Sequence, residues 1–277
     1  MNKPAFIIDI PAEDYHKATK DNEFLTSHRL AIFRRCPLEY KKVIDGVIVQ
    51  GDTANFVLGR ATHTFVLEGE EKFRTEYEVA DGPINEKTGK PFGTETNAFK
   101  EWAETLTKPA IRTADAEIIA KMREAVMGHE TAAKLLSAGF AEGTVRTTWG
   151  GIPVQTRMDW FNPETGDLVD LKTCNDIDRF GFDIRDFGYI FQVAFYAKVL
   201  ELAGYDKEVT PWFIAVEKKE PFRVAVFKVT PSTLDDINNS HMANATNRDD
   251  NEAMIAELRC CQEDNSWPTR YEGFGVL

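Results

Sequence analysis

The apolar stretch "GDLVDLKTC" (166–174) carries two side chains of opposite charge two residues apart, Asp170 and Lys172. In a strand, residues two apart share a side, so this carboxylate and ammonium would be neighbours on one face. Another acid, Asp159, lies in "QTRMDW", and a third, Glu142, in "AEGTVRTTW". Turn signals predict how the three meet. Gly150-Gly151 reads as a two-residue hairpin turn, which sets Trp149 against Ile152 and, further along the pair, Glu142 against Asp159. If Phe161 and Leu168 close the next hairpin, Asp159 faces Asp170. Three carboxylates then form one row across three adjacent strands. Like charges directly opposite each other cost roughly 0.2–1 kcal/mol per pair. A hard divalent cation held by oxygen ligands would offset that cost. A solvated charged face, its acids neutralised by Arg146, Arg157 and Lys172, is the other reading of the same pattern.

The elements around this row follow from periodicity and punctuation. Strand alternation puts Val145, Trp149, Ile152, Val154, Met158, Trp160, Val169 and Leu171 on one face, expected to be core. It puts Glu142, Arg146, Gln155, Arg157, Asp159, Asp170 and Lys172 on the other, expected to be a polar shelf. Upstream, residues 24–45 read as a helix interrupted at Cys36-Pro37 and followed by a second short one, with Thr26 and Ser27 as N-caps. "DTANFVLGRATHTFVLEGEE" is helical in its apolar spacing, and "DGPINEKTGKPFG" (81–93) reads as a long loop. A long helix is expected over 113–138, another from about Asp183 to Ala203, then two strands and a polar helix starting near Ser232. The order is helix, three-strand meander, helix, strand, strand, helix, which is a mixed α/β domain.

Composition bounds the function. The 277 residues are 43% hydrophobic, enough for one large core, and the expectation is a single domain over 1–277, mainly helical to residue 110. Lys and Arg number 33 against 45 Asp and Glu, a net charge of -12, which argues against a protein that coats nucleic acid non-specifically. No apolar run has the length of a membrane span and the N-terminus lacks the layout of a signal peptide, so a cytoplasmic protein without membrane association is expected. Cys36, Cys174, Cys260 and Cys261 show no paired CxxC spacing.

Taken together, "RMDW", a turn, "VDLKT" and then "FQVAFYAKVLE" resemble the signature of the PD-(D/E)XK nucleases and the QxxxY motif of their RecB-like branch. "LGRATHTFVLEGEE" resembles that branch's helical His motif. The likeness is nearest to the RecE-like (exodeoxyribonuclease VIII) group of phage and prophage nucleases. It extends over most of the chain, through "DYHK", "NEKTGKPFG", "EGTVRTTWGGIPVQTRMDW", "VDLKTCNDIDRFGFDIRDFGYIFQVAFY" and a late "WP". The fold this implies is a restriction-endonuclease-like αβββαβ core, a mixed sheet flanked by helices, with an N-terminal helical region.

The resemblance also implies roles. Asp159 and Asp170 would bind metal, with the Leu171 backbone carbonyl as a further ligand and His63 supplying a nitrogen. Lys172 would orient or activate the attacking water and stabilise phosphate charge. Glu142 stays open among direct ligand, holder of a ligated water and contact to the DNA backbone. Gln192 and Tyr196, one helical turn apart, would support the site. Arg34, Arg35, Lys41, Lys42, Lys87 and Lys90 are candidate phosphate contacts. The implied cofactor is Mg²⁺, with Mn²⁺ as a substitute. Some relatives with an early Cys-Pro bind an iron-sulfur cluster, but Cys36 with the adjacent pair Cys260-Cys261 does not fit Cys₄ ligation and none is expected. Position 170 is Asp where many members carry Glu, one methylene shorter. The implied activity is a Mg²⁺-dependent exonuclease acting from the ends of linear double-stranded DNA, 5′ to 3′, as a ring tetramer paired with a RecT-like annealing protein. A related endonuclease of flap or CRISPR-adaptation type, a non-catalytic DNA-end-binding scaffold, and a hydrolase of small phosphoesters are the rival readings.

Overall fold

The computed structural model describes residues 4–49, 54–239 and 250–273. The chain opens with strand β1 (Ile7–Ile8) and helices α1 (Ala12–Lys20), α2 (Ser27–Arg35), α3 (Pro37–Ile44) and α4 (Ala54–His63). The Thr26 hydroxyl caps α2 by accepting from the Arg29 N–H, and Pro37, which has no N–H to lose, starts α3 directly after the break at Cys36. A π-helical turn (Thr64–Glu68) comes after α4 and leads into α5 (Glu70–Glu76). Then come β2 (Glu78–Val79), β3 (Ile84–Asn85), β4 (Lys90–Pro91), α6 (Asn97–Ala103), β5 (Ala110–Ile111), α7 (Thr113–Gly128) and α8 (Glu130–Leu135).

Two expectations change in this half. The loop expected over 81–93 contains a small antiparallel hairpin, with Ile84 opposite Pro91 and Asn85 opposite Lys90. The long helix expected over 113–138 is two helices, because His129 takes an extended backbone and its ring Nδ1 caps α8 by accepting from the Ala132 N–H.

The second half holds the main sheet: β6 (Phe140–Trp149), β7 (Ile152–Asn162), β8 (Asp167–Cys174), a 3₁₀ turn (Ile177–Arg179), α9 (Phe180–Asp186), α10 (Tyr189–Leu202), β9 (Thr210–Glu217), β10 (Val224–Lys228), α11 (Pro231–Asn239) and α12 (Asn251–Asp264). The helix expected from Asp183 to Ala203 is thus divided at Gly188, whose φ of 68° ends α9 and is cheap only for glycine. Strand order is β1-β6-β7-β8-β9-β10, with β8 and β9 parallel and the other neighbours antiparallel. The parallel pair requires a crossover, which α9 and α10 supply. This is the αβββαβ order expected.

The hairpin registers also match: Trp149 faces Ile152 and Phe161 faces Leu168. The ladders nevertheless depart from expectation at the acids. Ala141–Trp160 and Gly143–Met158 are paired, but Glu142, with φ 57°, drops out of the ladder between them. The β7–β8 ladder ends at Trp160–Val169, one step before Asp159 would face Asp170. Beyond that point β8 runs beside β9, with Asp170 next to Phe213 and Lys172 next to Ala215.

The interruption overturns the single core face. Val145, Trp149, Ile152, Val154 and Met158 pack with Leu30, Phe33, Phe195 and Ile255, whereas Trp160, Val169 and Leu171 pack with Ile119, Met122 and Val126 of α7. Met158 and Trp160, two apart, enter different clusters, so the left-handed residue and the broken ladder turn the strand faces over. Both sides of the sheet are therefore covered. The expected polar shelf is covered too: Gln155 is fully buried and its Nε2 donates to the Tyr15 carbonyl (2.9 Å) and Thr19 Oγ1 (2.8 Å) of α1. Asp170 and Lys172 share their side of β8 with Leu168 and Cys174, which pack in the clusters that contain α10.

Candidate metal-dependent active site

The place where β7 and β8 part is where the candidate residues converge. Asp159, released from the ladder, uses Oδ2 to accept from the Leu171 N–H at 2.8 Å. The same oxygen lies 3.3 Å from Nδ1 of His63, the last residue of α4 before the π-helical turn. Such turns insert an extra residue and re-aim the side chains beyond it. Ligand atoms of His63, Glu142 and Asp159 all lie within 4.8 Å of one another. The left-handed backbone at Glu142 thus has a counterpart in the site: it belongs to the residue whose carboxylate joins this group. Arg157 holds that carboxylate through Nε at 2.5 Å and anchors itself through Nη1 to the Ile10 carbonyl at 2.9 Å.

Asp170 stands apart from the group of three. Only 2% of its side chain is exposed, its Oδ2 is 2.6 Å from Lys172 Nζ, and among the described residues neither of its oxygens meets a donor in hydrogen-bonding geometry. Lys172 Nζ also donates to Gln192 Oε1 at 3.2 Å, and Gln192 Nε2 donates to the Tyr196 hydroxyl at 2.9 Å. The ammonium sits 4.6 Å from the centroid of the Tyr189 ring, a cation–π arrangement. Leu171 turns its side chain into the α7 cluster while its N–H pins Asp159.

These contacts set the charges. Burial pushes Asp170 up to about 6 against the pull of Lys172, and burial together with the Asp159 charge pushes Glu142 up to about 7 against Arg157. Burial would raise Asp159 as well, but His63, Lys172 and the Leu171 N–H outweigh it and hold this carboxyl below the usual range. His63 and Lys172 are each opposed by burial and still raised, by Asp159 in the first case and by Asp170 and Asp159 in the second. Burial lifts the Tyr196 hydroxyl to about 12. The site therefore sets three carboxyls against His63, Arg157 and Lys172. One imidazole nitrogen, two close carboxylates and the unpartnered Oδ1 of Asp170 fit a divalent cation that accepts oxygen and nitrogen ligands.

The candidate phosphate contacts fall on α2, α3 and the β3–β4 hairpin. Arg35 pairs with Glu39, and Lys41 lies 2.5 Å from Asp45, both within one helical turn. Lys42 is exposed on α3, and Lys87 and Lys90 are exposed on the β3–β4 hairpin. Arg34 reaches the break before α10, its guanidinium 4.6 Å above the Phe191 ring. Two side chains bearing on the site were not among the expected site residues. Arg157 precedes Asp159 by two, the strand spacing that signals a shared side, and Tyr189 precedes Gln192 by three, one helical turn.

Comparison with known proteins bears on the fold and the family. A family model described as a "PDDEXK-like domain of unknown function (DUF3799)" matches residues 27–273. The crystal structure of a "Putative exonuclease" from Eubacterium rectale superposes with a TM-score of 0.64 at 16% sequence identity, covering 98% of this chain and 96% of that one. No curated protein sequence matches the chain. The solved structure shows a common fold, and the family match spans the meander, the His-bearing helix and α10: the chain belongs to the PDDEXK-like family DUF3799.

Proposed function

We propose that this protein is a divalent-metal-dependent exodeoxyribonuclease that hydrolyses linear double-stranded DNA from its ends. The observation that carries the reading is the convergence of His63, Glu142 and Asp159 beside the buried Asp170–Lys172 pair, where two strands of the sheet separate. His63, Glu142 and Asp159 would hold the cation, with the buried Asp170 as a further carboxylate for it. When bound, Mg²⁺ or Mn²⁺ supplies Lewis acidity toward a phosphate oxygen and lowers the pKa of water.

The remaining work falls to the chain. Lys172, kept protonated by Asp170 and Asp159, meets the negative charge that grows on the phosphate and orients water as a donor. It does not act as the base. Asp170, paired with it at 2.6 Å, holds that charge in place. Gln192 and Tyr196 fix the ammonium from α10, and Arg157 fixes Glu142 from β7. A 5′-to-3′ direction, a ring tetramer, a RecT-like partner and a role in phage-type recombination belong to the same proposal, supported by the resemblance of the motifs.

The test incubates the protein with linear and with covalently closed double-stranded DNA, in Mg²⁺ and in chelator, beside Lys172→Ala. Loss of linear DNA only, in Mg²⁺ only and with Lys172 only, is expected. Cutting of the closed circle would replace the exonuclease with an endonuclease, and binding of ends without cleavage would make the protein a scaffold.

A further inference from the structure

The segment that leads from α9 into α10 carries an exposed aromatic ring next to the candidate site. Phe187 is 67% exposed, although most large apolar side chains of the fold are buried. One side of its ring is engaged: the Tyr189 ring lies 5.7 Å away at an interplanar angle of 32°. Tyr189 in turn lies over Lys172 Nζ at 4.6 Å, and its ring is braced from inside by Phe180 (6.0 Å) and Phe213 (6.0 Å). The rings thus run from the core, past the ammonium, to solvent. A cation stands on the connecting residue: Arg34 Nη2 would be only 3.1 Å from a Cβ at Gly188, between the two aromatic positions. An exposed ring stacked on a braced one, a guanidinium at the glycine between them and an ammonium against the inner ring match a nucleotide, whose base stacks and whose phosphates carry charge.

We infer that Phe187 is a stacking platform for one unpaired nucleobase of a DNA strand whose backbone passes Arg34 and Lys172. A single phenyl ring covers a single base. In a duplex interior both faces of each base are already stacked, so the platform selects a strand that has left its partner. This deepens the nuclease reading and rests on it: the strand that is cut enters the site single, separated from its complement. The surrounding charges leave stacking with much of the binding, because Asp183 and Asp186 lie on the same short helix and Arg185 is 4.0 Å from Asp186.

The test measures binding of a short fluorescein-labelled poly(dT) strand by anisotropy in EDTA, for wild type, Phe187→Ala and Phe187→Trp. Phe187 is exposed, so these variants fold. Alanine should weaken binding roughly 5- to 150-fold, the range of one base–aromatic stack, and tryptophan should restore it. Removing the base from one nucleotide at a time should find a position where wild type loses a similar factor and Phe187→Ala loses nothing further. Unchanged binding in Phe187→Ala, the absence of any such position, or an equal loss on a blunt closed-hairpin duplex would overturn the stacking role. Cleavage of linear DNA by wild type in Mg²⁺, measured alongside, keeps the nuclease reading separate: if wild type cuts and Phe187→Ala binds normally, only the platform falls. If wild type neither binds nor cuts DNA, both fall.

Discussion

Asp170 is the least exposed charge of the site, and its pairing with Lys172 separates stability from chemistry. Removing one member of a buried pair strands the other, at a cost of about 3 kcal/mol or more, whereas removing both leaves little to strand. Lys172→Met should therefore destabilise the protein by about 3 kcal/mol, taking the lower end of that range because the lysine is 16% exposed. Asp170→Asn combined with Lys172→Met should recover most of the loss in urea unfolding, yet both variants should be inactive on DNA. If the double variant were no more stable than Lys172→Met, the pair would not be coupled as its 2.6 Å separation indicates. The same residues mark how far the sequence could be read. Asp170 and Lys172 on one side of a strand follow from a spacing of two. Their burial under α10 does not, because it depends on a helix that comes later in the chain. The row of three opposed acids was half right: Glu142 and Asp159 do come together, while Asp170 turns to its lysine.

Elements explain why. Turn residues make the first hairpin register legible, since Gly150 (φ 55°) and Gly151 (φ 87°) supply the left-handed backbone that a two-residue hairpin turn requires. Alternation then fails at Glu142, because a pattern of two assumes an unbroken pleat and nothing in a glutamate announces positive φ. The ends of elements also hold fixtures that a sequence hides. Glu217, at the end of β9, is 1% exposed and accepts from Arg223 Nε (3.0 Å) and Nη2 (2.8 Å) and from the Ile177 N–H (3.0 Å), tying the 3₁₀ turn to the β9–β10 connection. Arg223 holds its carboxyl down to about 2. A carboxyl lower in the folded than in the unfolded chain adds stability above the unfolded value, near 4.5, and that contribution fades as pH falls toward 2. Because Arg223 is 43% exposed and screened, the contribution is well below that of a buried pair. Glu217→Gln should lose that contribution at pH 7 and close the gap to wild type in acid. A gap that stayed constant between neutral pH and pH 3 would remove the ion pair as its cause.

At the scale of the molecule, the proposed function asks a chain of net charge -12 to hold a polyanion. Long-range attraction cannot supply much of that affinity, and among the expected phosphate contacts Arg35 and Lys41 are already paired with acids. Binding must rest on a few local cations, on the metal and on contacts that ignore salt, such as a stacked base. Each phosphate neutralised on a single strand contributes about -0.7 to the slope of log K against log salt. Two or three such contacts give a slope of roughly -1.4 to -2.1, far shallower than that of a protein that grips DNA through a basic face. Arg34, beside Gly188, is one of those contacts in this account, so Arg34→Met should flatten the slope by about 0.7. Phe187→Ala should weaken binding at every salt concentration and leave the slope unchanged, because stacking releases no counterions. A steep wild-type slope would mean that a cationic surface assembled from several copies of the chain, and not this cleft, carries the DNA.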